Sequence, residues 1–353
     1  MDVPIIDIAG WRTDPENDAR LAAAVDSVCR TVGFFKVGGH GVDTALIERL
    51  IEVTDGFFAQ SEETKLAYVT PPEIDRGYTP PGREALAYSL GVDTPPDLFE
   101  AFNIGVGELL GVDASEGVLW ADNLWPDAPS ELRPVWLEYC RAMYDLADRL
   151  LGIFAVALDL PPDWLQARSD RSPDVFRALN YERHPGSPDP VEGQLRMGPH
   201  SDYGTCTILL ADPVPGLQIL GLDGDWHDVT PTPGTFLVNI GDLLAAWTND
   251  RWRSTLHRVL PPPVGVDGPA RRRSFAYFHE ANPEVIVEPL PGCVTDGPDA
   301  VLYEPFSVGD HLTGKVVGPR TLTASVATTT VGDRADHLAV GTAPSPTTEE
   351  AGP

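Results

Sequence analysis

The chain has 353 residues, of which 42% are hydrophobic, and carries a formal net charge of −28. Such acidity repels phosphate backbones and anionic membrane surfaces, which argues against nucleic-acid binding, and no apolar run is long enough for a transmembrane helix. Cys29, Cys140, Cys206 and Cys293 show no C-x-x-C spacing, and the N-terminus enters its first strand at Val3 without a basic, apolar leader; both features predict a reducing, cytoplasmic setting.

In chain order the pattern predicts helices first and strands later. Residues 14–32 read as a helix with Asp14 as N-cap and Pro15 at the first helical position. Leu21, Ala24, Val25 and Val28 share one face, and Gly33 ends it. Residues 44–60 read as a second helix with Leu46, Leu50, Val53, Phe57 and Phe58 as its apolar side. A third, over about 130–158, carries Trp136, Tyr139, Met143, Leu146, Leu150, Phe154 and Leu158 at helical spacing. From Phe176 onward, short β-rich runs alternate with Pro/Gly turns such as those at 212–216 and 221–225, the rhythm of a sandwich or jelly roll. The expected fold class is therefore mainly β with flanking helices (α+β). An N-terminal region at 1–115 packs on a core at 116–332, and a Thr-, Pro-, Ala- and Glu-rich tail at 333–353 is expected to be disordered.

His200 and Asp202 stand in Gly198-Pro199-His200-Ser201-Asp202, and His257 in Ser254-Thr255-Leu256-His257. An H-x-D pair followed much later by a histidine is the spacing of a 2-His-1-carboxylate triad, which holds non-haem Fe(II) by one face and leaves the other open. On a strand, residues i and i+2 point to the same side, so His200 and Asp202 reach one metal while Ser201 points away. Alone, an H-x-D is weak, and a capped turn or a core histidine accounts for it.

A second cluster adds specificity. Arg272 and Ser274 share one strand face in Arg271-Arg272-Arg273-Ser274-Phe275. An arginine fork grips a carboxylate bidentately and an adjacent hydroxyl adds a further hydrogen bond. Behind an iron triad this pair would anchor the far end of a dicarboxylic acid whose other end chelates the metal. Arg251, Arg253, Arg258, Arg271, Arg272 and Arg273 could give the site a local positive field, although pairing with surface acids is the default for most of them.

With these motifs the chain resembles the iron- and 2-oxoglutarate-dependent dioxygenases of the isopenicillin N synthase-like group. The resemblance runs through Val3-Pro4-Ile5-Ile6-Asp7-Ile8, through Cys29-Arg30-Thr31-Val32-Gly33-Phe34-Phe35-Lys36-Val37 with Gly39-His40-Gly41-Val42, and through Asp97-Leu98-Phe99-Glu100-Ala101-Phe102. Phe99 replaces the family's usual lysine in the last of these. Leu179-Asn180-Tyr181, Val238-Asn239-Ile240-Gly241-Asp242 and Thr248-Asn249-Asp250-Arg251 continue it toward the C-terminus. The resemblance implies a double-stranded β-helix, with Fe(II) on His200, Asp202 and His257 and O2 as oxidant. The 2-oxoglutarate carboxylate would sit on Arg272 and Ser274, and Asn180 and Tyr181 would touch the co-substrate. Glu182 stands where relatives often carry a second tyrosine. The implied reaction hydroxylates, desaturates or cyclises a small molecule, with release of succinate and CO2, in specialised metabolism such as antibiotic biosynthesis. Substrate contacts are expected among Tyr78, Arg83, Tyr88, Phe102 and Phe278, and no obligate protein partner is indicated.

Two alternatives stay open at this level. An isopenicillin N synthase-like oxidase uses O2 without 2-oxoglutarate, its Arg-x-Ser gripping a substrate carboxylate instead. The same triad could also hold Zn(II) in a hydrolase or a non-catalytic binding protein. Of the other histidines, His40 reads as a structural hydrogen-bonding residue, and His184, His227, His279 and His311 have no partner at ligand spacing. Asp242 either orients the strand bearing His257 or caps a turn.

Overall fold

The computed structural model describes residues 3–182, 190–261, 271–294 and 300–322; the tail expected at 333–353 and His184 lie outside them. The chain opens with strand β1 (Ile5–Asp7), helix α1 (Pro15–Thr31) and strand β2 (Phe34–Gly38). Asp14 caps α1 by accepting from the Asn17 amide, and Leu21, Val25 and Val28 are buried as the periodicity requires. Ala24 is exposed instead; Ala22 and Cys29 complete the buried face. Gly33 turns the chain at φ +69°, where a Cβ would come within 2.2 Å of the Arg253 carbonyl oxygen, so only glycine passes there.

Helices α2 (Thr44–Phe58) and α3 (Glu62–Leu66) follow, then strands β3 (Gly77–Thr79) and β4 (Glu100–Gly105), the short α4 (Gly107–Leu110) and the long α5 (Leu132–Ala157). The expected apolar stripe of α5, from Trp136 to Leu158, is buried throughout. Beyond it come β5 (Val175–Asn180), β6 (Met197–His200), β7 (Cys206–Ala211), β8 (Leu217–Leu220), β9 (Trp226–Asp228) and β10 (Phe236–Ile240). The chain then forms α6 (Asp242–Trp247), β11 (His257–Val259), β12 (Arg273–His279), β13 (Ile286–Val287), β14 (Phe306–Ser307) and α7 (Val308–Thr321).

These strands make an eight-stranded sheet in the order β1-β2-β10-β7-β12-β5-β4-β3 and a four-stranded sheet in the order β6-β11-β8-β9. Only β1 and β2 pair in parallel within them. Two antiparallel sheets whose inner faces line one cavity form a jelly-roll core, the expected architecture. Strands from the first 115 residues flank the larger sheet at both edges, so the N-terminal region completes the wall rather than standing apart from it.

Alternation along β5 decides which residues can meet a ligand. Val175, Arg177, Leu179 and Tyr181 face the cavity. Phe176 turns the other way, with its ring 5.0 Å from Trp136 and 5.3 Å from Tyr139 of α5. Asn180 shares that outer face, and its amide donates to Glu100 Oε1 at 2.8 Å. Lys65 Nζ, at 2.6 Å, and the Tyr78 hydroxyl, at 2.6 Å, both reach Glu100 Oε2. This buried polar knot ties α3, β3, β4 and β5 together. Phe102 packs edge-on against Phe57 and Trp136. Asn180, Tyr78 and Phe102, expected near the ligands, therefore belong to the framework.

Removing one partner of a buried ion pair strands the other charge. Lys65→Met is expected to lower the unfolding free energy by about 3–5 kcal/mol, read from the denaturant midpoint at constant slope.

Candidate active site

Strand β6 ends at His200, so Asp202 lies just past the strand rather than on it as expected. The pair still converges. His200 Nε2 is 3.8 Å and His257 Nε2 3.7 Å from Asp202 Oδ1, separations that one divalent cation with bonds of about 2.0–2.2 Å can bridge. His257 arrives on β11, directly opposite His200 in the antiparallel register, and the two ring centroids are 4.2 Å apart. All three side chains are buried, and among the described residues they are the one such cluster of potential metal ligands.

Each ligand is held from behind. His200 Nδ1 bonds the Gly198 carbonyl at 2.8 Å and His257 Nδ1 the Thr255 carbonyl at 3.2 Å, so each ring places its proton on Nδ1 and leaves Nε2 as a donor for the metal. Burial and the neighbouring His257 ring push the His200 pKa down to about 3, so the imidazole is neutral, the form that ligates. Asp202 Oδ2 accepts from the Asn239 amide at 2.6 Å and from the Thr207 hydroxyl, leaving Oδ1 to the metal side. Thr207 and Asn239 are register partners on β7 and β10, so the larger sheet presents both donors together.

Asp242 clamps the two ligand-bearing segments. Its carboxylate accepts from Ser201, beside His200, at 3.3 Å and from Ser254, three residues before His257, at 2.7 Å. The orienting role considered for Asp242 is therefore built, through serines that flank the ligands. Asp97, from the sequence motif shared with relatives, accepts from the Gly198 amide at 2.8 Å and from Leu86, and burial pushes its carboxyl up to about 7. Sequence reading assigned no role to Thr207, Asn239, Ser201 or Ser254. A polar residue on a strand otherwise made of apolar residues, as Asn239 is in β10, was the available signal.

At the inner end of the cavity Arg272 is 1% exposed, and its Nη1 donates to Ser274 Oγ at 2.6 Å. Its Nε and Nη2 have no acceptor among the described residues. Two orphan guanidinium donors in a buried wall fit an incoming carboxylate, since leaving them unmet costs free energy. Tyr181 lines the same end, its ring 5.2 Å from the guanidinium carbon and its hydroxyl against Ser274. The neighbouring arginines point outward: Arg271 pairs with Asp55 at 2.7 Å, Arg273 with Asp212 at 2.9 Å and Arg251 with Asp26 at 2.9 Å. Strand alternation thus selects Arg272 alone from its run of three.

Of the five expected substrate contacts, Phe278 lines the cavity. Tyr78 and Phe102 are core, as described above. Arg83 is exposed, and Tyr88 turns its hydroxyl to Asp93. The cavity wall is instead supplied by residues such as Arg177, Val175, Glu280 and, from α7, Leu312, Thr313 and Val316. His40 is structural, held by the Gly234 carbonyl and the Val42 amide; His227 pairs with Asp223, His279 with Asp174, and His311 bonds the Tyr203 carbonyl.

Comparison with known proteins agrees with this geometry. A family profile described as the N-terminal region of non-haem dioxygenases in morphine synthesis matches residues 3–128, and the 2OG-Fe(II) oxygenase superfamily profile matches residues 173–281. The chain is 34% identical over 297 residues to validamycin A dioxygenase of Streptomyces hygroscopicus subsp. limoneus, covering 84% of this chain and 81% of that protein. It is 32% identical to a homoarginine-6-hydroxylase of Oryza sativa subsp. japonica, covering 89% and 96%. Among solved structures, a full-length Neurospora crassa protein in complex with alpha-KG superposes with a TM-score of 0.77 at 28% identity, covering 89% of this chain and 95% of that one. JOX2 in complex with 2OG, Fe and JA gives 0.74 at 27% identity, covering 94% and 89%.

If Asn239 orients the Asp202 carboxylate, Asn239→Leu should weaken Fe(II) binding about 10- to 100-fold in anaerobic metal titration, with little change in far-ultraviolet circular dichroism.

Proposed function

This chain belongs to the 2OG-Fe(II) oxygenase superfamily, and from that premise we propose that His200, Asp202 and His257 hold its Fe(II) while Arg272 and Ser274 hold the distal carboxylate of 2-oxoglutarate. The protein is a non-haem iron, 2-oxoglutarate-dependent dioxygenase acting on a small molecule. The observation that carries the residue assignment is the pair of orphan donors on buried Arg272, at the far end of the cavity that also holds the triad. When bound, Fe(II) and 2-oxoglutarate supply the oxidising chemistry: O2 and the keto acid are consumed, succinate and CO2 are released, and one oxygen atom reaches the substrate.

The chain's own residues set the stage for that chemistry. Asp202 offers one oxygen to the metal because the other is committed to Asn239 and Thr207. Tyr181 packs beside the co-substrate anchor and fixes the guanidinium plane. Met197, Leu209, Leu217 and Val259 line the cavity around these groups and keep bulk water from the reacting carbon. Hydroxylation of a small molecule of specialised metabolism is the reading, with desaturation or ring closure as the related outcomes. A cytoplasmic enzyme without nucleic acid or obligate protein partner completes it, supported by the net charge of −28 and by four cysteines that are all free.

Arg272→Leu should weaken 2-oxoglutarate binding at least about thirtyfold, equivalent to ~2 kcal/mol, while iron content stays near one per chain. Unchanged co-substrate affinity would move the anchor elsewhere. Succinate release that depends on 2-oxoglutarate and rises with a true substrate separates this reading from an oxidase that uses O2 alone; its complete absence with every substrate tried would count for the latter.

A further inference from the structure

The half of the cavity away from Arg272 is walled by carbon and by buried charge. Val175, Pro173, Leu119, Phe278 and Leu312 supply the apolar part. The acids around it each have a cation or several hydrogen-bond donors at hand, with one exception. Glu84 pairs with Arg177 at 2.5 Å and Arg320 at 3.3 Å, and Asp75 pairs with Arg320 at 3.2 Å. Asp242 has Lys315 at 3.8 Å, and Asp174 is met by the Tyr277 hydroxyl at 2.7 Å, His279 Nδ1 at 2.7 Å and the Glu280 amide at 2.9 Å. Glu280 is the exception. It lines the cavity, is 6% exposed, and among the described residues its Oε2 accepts no hydrogen bond and its carboxylate forms no ion pair.

The surroundings sharpen this imbalance. Burial pushes the Glu280 carboxyl well up, and Asp174, Asp202, Asp242 and Asp75 push it further. Gly204 lies against it, where a Cβ would come within 2.3 Å of Oε2. On the reading given above, the charges at the metal end balance among themselves: Fe(II) with Asp202 and the metal-side carboxylate of the keto acid, and Arg272 with its distal carboxylate. The acid left without a counter-ion is Glu280, and its raised pKa keeps it a neutral carboxyl until a cation arrives beside it.

We propose that Glu280 is a specificity-determining residue that binds a basic nitrogen, an ammonium or amidinium-type group, of a substrate whose compact carbon skeleton lies against the apolar wall. A buried carboxyl that gives up its proton beside a basic group gains a charge-assisted hydrogen bond from the resulting cation, whereas a neutral hydroxyl gains a weaker one and an anion is repelled. The proposal rests on the oxygenase reading for the direction in which the substrate must face.

Isothermal titration of the Fe(II)- and 2-oxoglutarate-loaded protein under anaerobic conditions tests it. The probes are agmatine, cyclohexylamine and 4-aminocyclohexanol, each set against cyclohexanol and N-acetylcyclohexylamine. At least one amine should bind about tenfold or more tightly than its neutral counterparts, and Glu280→Gln should remove that advantage while leaving neutral probes and 2-oxoglutarate unchanged. Intact 2-oxoglutarate binding in the variant shows that it is folded. Equal affinity for charged and neutral probes, undiminished amine binding by Glu280→Gln, or no binding of any amine would overturn the proposal. Failure of the loading step, before any amine is added, would overturn the assignment of Arg272 and Ser274 instead.

Discussion

The Asp202 carboxylate joins the two sheets, and the geometry of the proposed metal site depends on how its two oxygens are divided. Oδ2 is committed to Asn239 and Thr207 on the larger sheet, and Oδ1 faces His200 and His257 on the smaller one. Hydrogen bonds to a charged group are worth about 1.5–3 kcal/mol each, enough to fix the carboxylate in one rotamer before any metal arrives. Asp202 lies beyond the end of β6, and its side chain is held by the donors across the cavity. Asp242, through Ser201 and Ser254, draws the two ligand-bearing segments of the smaller sheet together.

The same division between an inward and an outward face governs the other end of the cavity. Along β12 and the residues flanking it, Arg272, Ser274, Ala276, Phe278 and Glu280 all line the cavity that also holds His200, Asp202 and His257. Arg271 and Arg273 look outward and are neutralised by Asp55 and Asp212. One strand with its period of two thus specifies both what shares the iron and what approaches it.

Much of this was legible in the chain, and the reasons for the rest are physical. The long stripe of α5 follows from helical spacing, whereas His200, Asp202 and His257 and the Arg272–Ser274 pair become legible only together and through the family resemblance. Ligand support was not legible, since Asn239 and Thr207 meet Asp202 only through strand pairing between distant segments. Asn180 was misjudged for a related reason: the motif identifies the strand, but the face turned to the cavity depends on register, and Asn180 faces Glu100 rather than the ligand. Tyr78 and Phe102 are aromatic residues near the site in sequence terms, yet aromatic clustering with Phe57 and Trp136 draws them into the core. Glu280 carried no signal at all, because a buried acid without a partner becomes visible only when its neighbours are known.

The central claim is that one cavity binds Fe(II) on three protein ligands and leaves adjoining positions for a keto acid anchored by Arg272. Anaerobic addition of 2-oxoglutarate to the Fe(II)-loaded protein, followed in the visible spectrum, tests it most directly. The account predicts a weak charge-transfer band that saturates at one equivalent of 2-oxoglutarate per iron and is not produced by succinate. A protein that holds one equivalent of Fe(II) and develops no band at saturating 2-oxoglutarate would contradict it.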